Sequence, residues 1–327
     1  MRTSNRPSTG QMLVAATICF SLTPAAAVAE DAPVVGILGA NYAIEAARAQ
    51  YEAAAAALIE RGIDVRFLDA RLDINKQVSQ TDQFVNEGVD AIIMNVAGDP
   101  NAVLGPLQRA EAAGIQVFAI GATPGFAGTL IQYDLPSEEQ GRLSGEFICE
   151  QTGGSGKIAM IEAIDIPVLA QRWNTFLATI EETCPDLEVV ARERAIPDDA
   201  ATTRPIAENL LTRFPDLKAI WTMGDGPALG AGLAVRSAGL DVIVTGLNGE
   251  SQGIDGVKQG IVTATWDMKP VELGYQLGLK MADVILGDAP MPEQTQVHTV
   301  TDLPIWTSDT VTDWKPYDER IAYPGLQ

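Results

Sequence analysis

The chain has 327 residues, with 22 Lys and Arg against 43 Asp and Glu, and its net charge is −21. A surface this negative repels phosphate backbones, so nucleic acid is disfavoured as a partner. The single histidine, His298, leaves no second imidazole for a His-based zinc site, and a Ser-His-Asp triad would have to use this tail residue. We therefore expect no metal, no cofactor and no enzymatic activity.

The first thirty residues have the pattern of a secretory signal. Arg2 and Arg6 precede an apolar run at 12–22, and Ala27 and Ala29 fit an A-x-A cleavage site. The run is well short of the roughly twenty residues that span a bilayer. Cys19 lacks the small preceding residue that lipidation normally needs. We expect a signal peptide at 1–29 that is cleaved, which places the mature protein in the periplasm.

Short apolar strands then alternate with helices. Strands are predicted at 34–38, 65–68, 91–95 and 117–120, and helices at 44–61, 78–87 and from 100 to 114. Asp99 and Pro100 predict an N-cap and a first helical position, and Gly62, Gly88 and Gly114 end the three helices. Near-continuous apolar strands between helices predict a parallel sheet that is covered on both faces.

The same pattern begins again near residue 137. Ser137 and Gln140 predict a capping box for a helix that runs to about 152. Strands are predicted at 157–162, 187–191, 219–222 and 242–246. Helices are predicted up to 183 and at 206–213, 228–238, 254–259 and 271–286, before a tail rich in Thr, Asp and Pro.

The two halves resemble each other internally, since 90–117 and 218–242 are both strand, helix, glycine, strand units. The pattern predicts an α/β fold of two doubly wound parallel-sheet lobes joined by a three-crossing hinge. We assign residues 30–133 plus 267–289 to the first lobe, and 134–266 plus 290–327 to the second lobe and tail. The crossings are expected near 132–135, near 265–267 and after 286. Ligands of such sheets bind beyond the carboxyl ends of the strands.

Several segments together resemble the ribose-binding type of periplasmic solute-binding proteins of ABC importers. This family shares its fold with the ligand domain of the lactose-repressor family. The resemblance extends from about residue 34 to 286 and is carried by segments at 87–93, 99–103, 112–117, 141–143, 228–231, 246–249 and 264–270. The repressors carry a basic helix-turn-helix before this fold, whereas this chain carries a signal sequence there. The transport branch is therefore the better match.

The resemblance implies a polar ligand site between the lobes. Asn95 ends the third strand, where the family commonly has a ligand contact, although a strand-end asparagine can also simply cap a turn. Asn248 stands where ribose binders usually carry a cleft-facing aspartate. Asp225 follows the 219–222 strand and could equally be the N-cap of the next helix. Asn248 is the strongest of these candidates.

Sugar sites usually stack a ring on an aromatic side chain while polar groups bind the hydroxyls. The aromatic candidates are Tyr42, Trp173 beside Arg172, and Trp266 beside Asp267. Arg172 matches an arginine two places after the family's usual ligand arginine. Core packing for Trp173 and a surface charge for Arg172 are the alternatives.

Three departures set the chain apart from standard ribose or galactose binders. Gly121 and Ala122 replace the Asp-Arg pair that many of these proteins place after the fourth strand. The paired phenylalanines after the first strand are absent, and Met268 replaces a cleft glutamine. The departures indicate a more open or more apolar first-lobe side of the pocket. Such a pocket could suit a different polyol, a deoxysugar or a non-sugar.

The sequence supports one main function and one alternative. The main hypothesis is a monomeric binding protein that captures a sugar, polyol or similar small polar solute and delivers it to the membrane subunits of an ABC importer. The alternative is a periplasmic sensor for a membrane kinase or chemoreceptor. A secreted enzyme is disfavoured, because the chain lacks a Gly-x-Ser-x-Gly motif and a Gly-x-Gly-x-x-Gly motif after the first strand.

Two cysteines remain after the signal, Cys149 and Cys184, and both fall in the second lobe. In an oxidising compartment two such thiols can form a disulfide. Two buried free thiols are the alternative.

Overall fold

The structure is a computed structural model that describes residues 1–4, 32–163 and 167–320. The predicted signal peptide lies outside the described residues apart from its first four. Within the described ranges, no helix has the length and apolar character needed to cross a membrane.

The first half of the chain alternates strands and helices as predicted. The elements are β1 (Val34–Gly39), α1 (Glu45–Glu60), β2 (Asp64–Asp69), α2 (Ile74–Glu87), β3 (Ala91–Met94), α3 (Asn101–Ala112), β4 (Gln116–Gly121) and β5 (Thr129–Asp134). The predicted N-cap of α3 is one position off: Pro100 stands at the N-cap without a side-chain cap, and the carboxylate of Asp99 before it accepts from the amide of Asn101 at 2.9 Å.

The second half repeats the alternation. Its elements are α4 (Ser137–Thr152), β6 (Ser155–Glu162), α5 (Pro167–Thr183), β7 (Asp186–Arg194), α6 (Ala200–Arg213), β8 (Leu217–Thr222), α7 (Asp225–Ala238), β9 (Ile243–Thr245), α8 (Ser251–Lys258) and β10 (Thr265–Trp266). The remaining elements are α9 (Pro270–Ile285), β11 (Gln296–His298), β12 (Ile305–Trp306), a 3₁₀ helix (Val311–Asp313) and α10 (Tyr317–Arg320).

Ten of the described strands form two separate parallel sheets, and β10 and β12 form an antiparallel pair. The first sheet has the order β11-β5-β4-β3-β1-β2, and the second has the order β7-β6-β8-β9. In the first sheet β1 lies between β2 and β3, and in the second sheet β6 lies between β7 and β8. The direction of winding therefore reverses between β1 and β3, and again between β6 and β8. Ligands of doubly wound sheets bind at this switch point, beyond the carboxyl ends of the strands.

Both faces of each sheet are buried, which explains why the strands are almost continuously apolar. In β3, Ile93 packs with α1 and α9, whereas its neighbour Ile92 packs with α2 and α3 on the opposite face. In β8, Trp221 packs with α4 and α5, and Ile220 packs with α6 and α7. Successive side chains of a strand point to opposite faces, so each strand serves two cores.

The chain passes between the sheets three times. It leaves the first sheet between β5 and α4, and α9 brings it back to pack on α1. It leaves again after β11, because β12 pairs with β10 beside the second sheet. We predicted that residues 290–327 belong with the second lobe. Instead, the strand Gln296–His298 pairs in parallel with β5 of the first sheet, and the third crossing follows it.

The predicted capping box at the start of α4 is wrong. The helix begins at Ser137 itself, with Pro136 at the N-cap and no side-chain cap. The Ser137 hydroxyl and the Gln140 amide are buried and have no hydrogen-bond partner. Ser137 lies one position too far into the helix to cap it, because the N-cap residue must precede the first helical turn.

Cys149, near the end of α4, and Cys184, just after α5, form a disulfide, with their Cα atoms 5.9 Å apart. Both cysteines are buried in the core between these helices and the second sheet. The bond ties α4 to α5, whose close contact also depends on Gly141, where a Cβ would lie 2.3 Å from the Arg172 carbonyl oxygen.

Candidate ligand-binding site

A cavity of about 170 Å³ lies where the carboxyl ends of the two sheets meet. Asn95 follows β3 and Met223 follows β8, so each marks the winding reversal of its own sheet. Asn248 follows β9, and the first turns of α5 supply Arg172. The cavity is smaller than the roughly 300 Å³ at the lower end for drug-sized ligands. It therefore suits a small solute.

Arg172 is a buried charged residue that lines this cavity. It is only 3 % exposed, and its Nη1 donates to the carbonyl oxygen of Met223 at 3.1 Å and to Oδ1 of Asn248 at 3.2 Å. Its Nε has no partner. Burial lowers the pKa of Arg172 to about 10, against the opposing effect of Glu250, Asp198 and Asp225. The guanidinium therefore stays charged at neutral pH, with donor capacity left for a ligand.

Asn248 is held in a conformation that non-glycine residues rarely adopt, with φ at 130°. Its amide donates to the carbonyl oxygen of Trp266 at 2.9 Å. Its own carbonyl oxygen accepts from the Met268 amide at 3.2 Å and from the Tyr317 hydroxyl at 2.7 Å. Such strain persists where surrounding bonds over-determine it, and it is characteristic of ligand sites. The C-terminal helix α10 thus helps to fix a residue that lines the cavity.

On the opposite wall, Asn95 already uses its amide within the protein. Its Nδ2 donates to the Tyr51 hydroxyl at 2.9 Å, and its Oδ1 accepts from the Ala122 amide at 3.2 Å. Gly121 makes this possible, since a Cβ there would lie 2.7 Å from Nδ2 of Asn95. Gln50 of α1 also lines the cavity, and its buried Oε1 has no partner. Gln50 therefore offers an unused acceptor on this wall.

A periplasmic binding protein domain matches the chain over residues 34–289. The chain belongs to the periplasmic binding protein family. The resemblance to periplasmic solute-binding proteins of ABC importers, with their type I fold, is thereby confirmed.

Individual relatives agree with this assignment. The chain is 30% identical over 230 residues to the ribose import binding protein of Bacillus subtilis (strain 168), a match that covers 69% of this chain and 73% of the relative. It is 26% identical over 227 residues to the D-apiose import binding protein of Paraburkholderia graminis, covering 69% and 72%. An ABC transporter periplasmic solute-binding protein from Actinobacillus succinogenes, solved with D-allose, matches with a TM-score of 0.76 at 24% identity, covering 86% of this chain and 100% of that one.

In this periplasmic binding protein the predicted site residues separate into two groups. Asn95, Arg172 and Asn248 line the cavity together. The two tryptophans, Trp173 and Trp266, lie in the core of the second sheet, where Trp266 meets Phe147 edge to face at 5.4 Å.

Tyr42, Asp225 and Asp267 also lie outside the cavity lining. Tyr42 packs on Phe67 with ring centroids 5.1 Å apart and lines a separate groove of about 650 Å³. Asp267 is buried and pairs with Arg320 of α10 at 2.5 Å. Asp225 is buried and accepts bonds from the Glu250 amide at 2.7 Å and the Thr265 hydroxyl at 2.6 Å.

Sequence reasoning missed several residues that line the cavity, among them Gln50, Met223 and Asp198 and the apolar residues Leu72 and Val96. Met223 follows a strand end, so the same reasoning that selected Asn95 could have selected it. Gln50 lies in the middle of α1, and only the packing of that helix aims it at the cavity. Asp198 is an exposed loop residue with no strand-end signal.

The buried carboxyls Asp225 and Glu250 predict an unusual pH dependence. Burial raises the pKa of both groups, and their proximity raises that of Asp225 further. A carboxyl with a higher pKa in the folded state binds more protons when folded, so the free energy of unfolding falls as pH rises above the unfolded values near 4. We expect a lower melting temperature at pH 8 than at pH 5.

The Asp225→Asn variant separates this effect from the general repulsion of a chain with net charge −21. An asparagine can accept from the Glu250 amide and donate to the Thr265 hydroxyl, so the local bonds can be kept. The fall in melting temperature between pH 5 and pH 8 should be smaller in the variant. An equal fall in both proteins would contradict the assignment.

Proposed function

We propose that this chain captures a monosaccharide, polyol or similar small polar solute between its two sheets and delivers it to the membrane subunits of an ABC importer. The observation that supports this proposal most strongly concerns Arg172. Its buried guanidinium has an unpartnered Nε and lines a small cavity at the winding reversals of both sheets. The import roles named for the ribose and D-apiose relatives support the same function. The protein would act as a monomer in the periplasm, by binding and without catalysis, after removal of residues 1–29.

We propose that two lobes close on the ligand. Hydrogen bonds that run in both directions between the start of α1 and the start of α8 support this proposal. The carboxylate of Glu45 at the start of α1 accepts from the Ser251 amide at 2.9 Å and the Ser251 hydroxyl at 2.6 Å at the start of α8. In return, Glu250 accepts from the Ala46 amide at 3.0 Å. Neither helix has a side-chain cap from its own N-cap residue. Each helix start is therefore capped from across the cleft.

The Glu45→Ala variant should weaken this closed arrangement. Loss of a helix cap costs about 1 kcal/mol, so we expect a similar decrease in the free energy of unfolding and a larger radius of gyration without ligand. The control is Glu60→Ala at the other end of α1, where the carboxylate accepts from Tyr275 of α9 on the same sheet. Denaturant unfolding and X-ray scattering measure both quantities. Equal scattering from the two variants would refute closure by these contacts.

A thermal-shift screen of residues 30–327 against monosaccharides and polyols tests the proposed function. A ligand that binds only the folded state raises the melting temperature with its concentration. We expect at least one neutral sugar or polyol to do so. If none does at millimolar concentration, capture of this class of solute is refuted.

A further inference from the structure

The wall of the cavity that comes from the first sheet is apolar. It is formed chiefly by Ala40, Ala47, Val96 and Ala122. Among the described residues, the side-chain amides on this wall are those of Asn95 and Gln50, and Asn95 is bonded to Tyr51 and Ala122. A hydroxyl placed against this wall would lose its water and gain few partners, which is unfavourable.

Leu72 extends the apolar wall to the mouth of the cavity. It lines the cavity and yet is 57% exposed. Arg71 and Leu72 have φ values of 56° and 58°, which are uncommon for residues other than glycine. Hydrogen bonds hold the turn, from the Leu72 amide to the Ala40 carbonyl oxygen at 2.8 Å and from the Arg71 amide to Asp69 Oδ1 at 3.1 Å. The turn thus keeps a leucine at the entrance at the cost of backbone strain.

The wall from the second sheet is mixed, since Val168 and Leu169 of α5 and Met223 after β8 lie there beside polar groups. It carries the guanidinium of Arg172, the amide of Asn248 and, at the exposed rim, the carboxylate of Asp198. Among the described lining residues, both charged groups, Arg172 and Asp198, therefore lie on this side, and the first-sheet wall carries no charge. None of the described residues that line the cavity is aromatic, so no ring is available for stacking a sugar face.

We propose that the ligand is amphipathic, with hydroxyls toward Arg172 and Asn248 and a methyl or methylene group toward Val96, Ala122 and Leu72. A deoxysugar or deoxypolyol has this chemistry, and a solute that is hydroxylated on every carbon does not. This inference rests on the proposed function. An apolar pocket discriminates against an added hydroxyl by about 100-fold at most. We expect a preference of roughly ten- to 100-fold for the deoxy compound.

Isothermal titration calorimetry with matched pairs tests the inference. Suitable pairs are D-fucose with D-galactose, L-rhamnose with L-mannose, and 2-deoxy-D-ribose with D-ribose, since each pair differs by one hydroxyl. In the pair that contains the tightest-binding sugar, the deoxy member should bind at least about tenfold more tightly than the hydroxylated member. If the fully hydroxylated member binds equally or more tightly, the inference falls and the proposed function stands. If no sugar or polyol binds, both fall.

A variant of the wall gives an independent readout. Asparagine tolerates positive φ better than leucine, so Leu72→Asn should fold while placing an amide at the cavity mouth. The ratio of deoxy to hydroxylated affinity should fall toward one in this variant. The control is Leu240→Asn, an exposed leucine outside the cavity lining, which should leave the ratio unchanged. An unchanged ratio in Leu72→Asn would remove Leu72 from the recognition wall.

Discussion

Replacing Arg172 by methionine is expected to weaken ligand binding by roughly 10- to 150-fold, since a hydrogen bond to a charged group contributes about 1.5–3 kcal/mol. The stability of the variant should fall by no more than about 3 kcal/mol, because removing a buried charge with an unpartnered Nε offsets part of the loss of the hydrogen bonds to Met223 and Asn248. Calorimetry with the sugar selected by thermal shift measures the affinity, and denaturant unfolding measures the stability. The desolvation cost of the Arg172 guanidinium thus opposes folding, whereas its hydrogen-bond donors favour ligand binding.

The matched control is Arg142→Met on α4, where the guanidinium forms surface ion pairs with Glu139 and Glu146. This variant should bind as wild type does, and exposed pairs of this kind contribute at most about 1 kcal/mol each to stability. Wild-type affinity in Arg172→Met would exclude the guanidinium from ligand recognition. A stability loss above about 3 kcal/mol would instead make Arg172 a structural residue.

Removal of the disulfide should have the largest effect on stability. The bond between Cys149 and Cys184 closes a loop across 35 positions, for which the chain-entropy relation gives about 3–4 kcal/mol. The Cys149→Ala/Cys184→Ala double variant should lose about this much free energy of unfolding in urea. Its denaturant slope should increase, because the unfolded chain without a cross-link exposes more surface.

Reduction of the wild-type protein provides the control for packing. Dithiothreitol breaks the bond but keeps both sulfur atoms in the core, so reduced wild type should be less stable than oxidised wild type and close to the double variant. If oxidised and reduced proteins unfold at the same urea concentration, the disulfide makes no net contribution.

Much of the fold could be predicted from the sequence, because each buried strand serves two cores and therefore is apolar at nearly every position. Two exceptions are β11, at the edge of the first sheet, and β5, which lies next to it. Residues 129–134 of β5 alternate between buried and half-buried positions, and β11 has three mostly exposed residues. Neither has the continuous apolar run that identified the other strands, so neither was predicted. The position of β11 also explains why the start of the tail, up to His298, was assigned to the wrong sheet.

The site could be predicted only in part, because strand ends locate a ligand site while packing decides which side chains reach it. Asn95, Arg172 and Asn248 were predicted and lie together. Trp173 and Trp266 are of the residue type that stacks on sugars, but a buried tryptophan is equally typical of a hydrophobic core. The structure places both in the core. For Asp225, ligand contact and an N-cap were the two alternatives. The structure shows a third role, a buried acceptor that joins Glu250 and Thr265.

A crystal structure of residues 30–327 with the tightest-binding sugar or polyol tests the proposed site most directly. Density for the ligand should lie in the cavity of about 170 Å³, within hydrogen-bond distance of Arg172 and Asn248, with its least polar face against Val96 and Ala122. Density in the separate groove beside Tyr42 and Arg48, with the cavity at Arg172 holding only water, would contradict it.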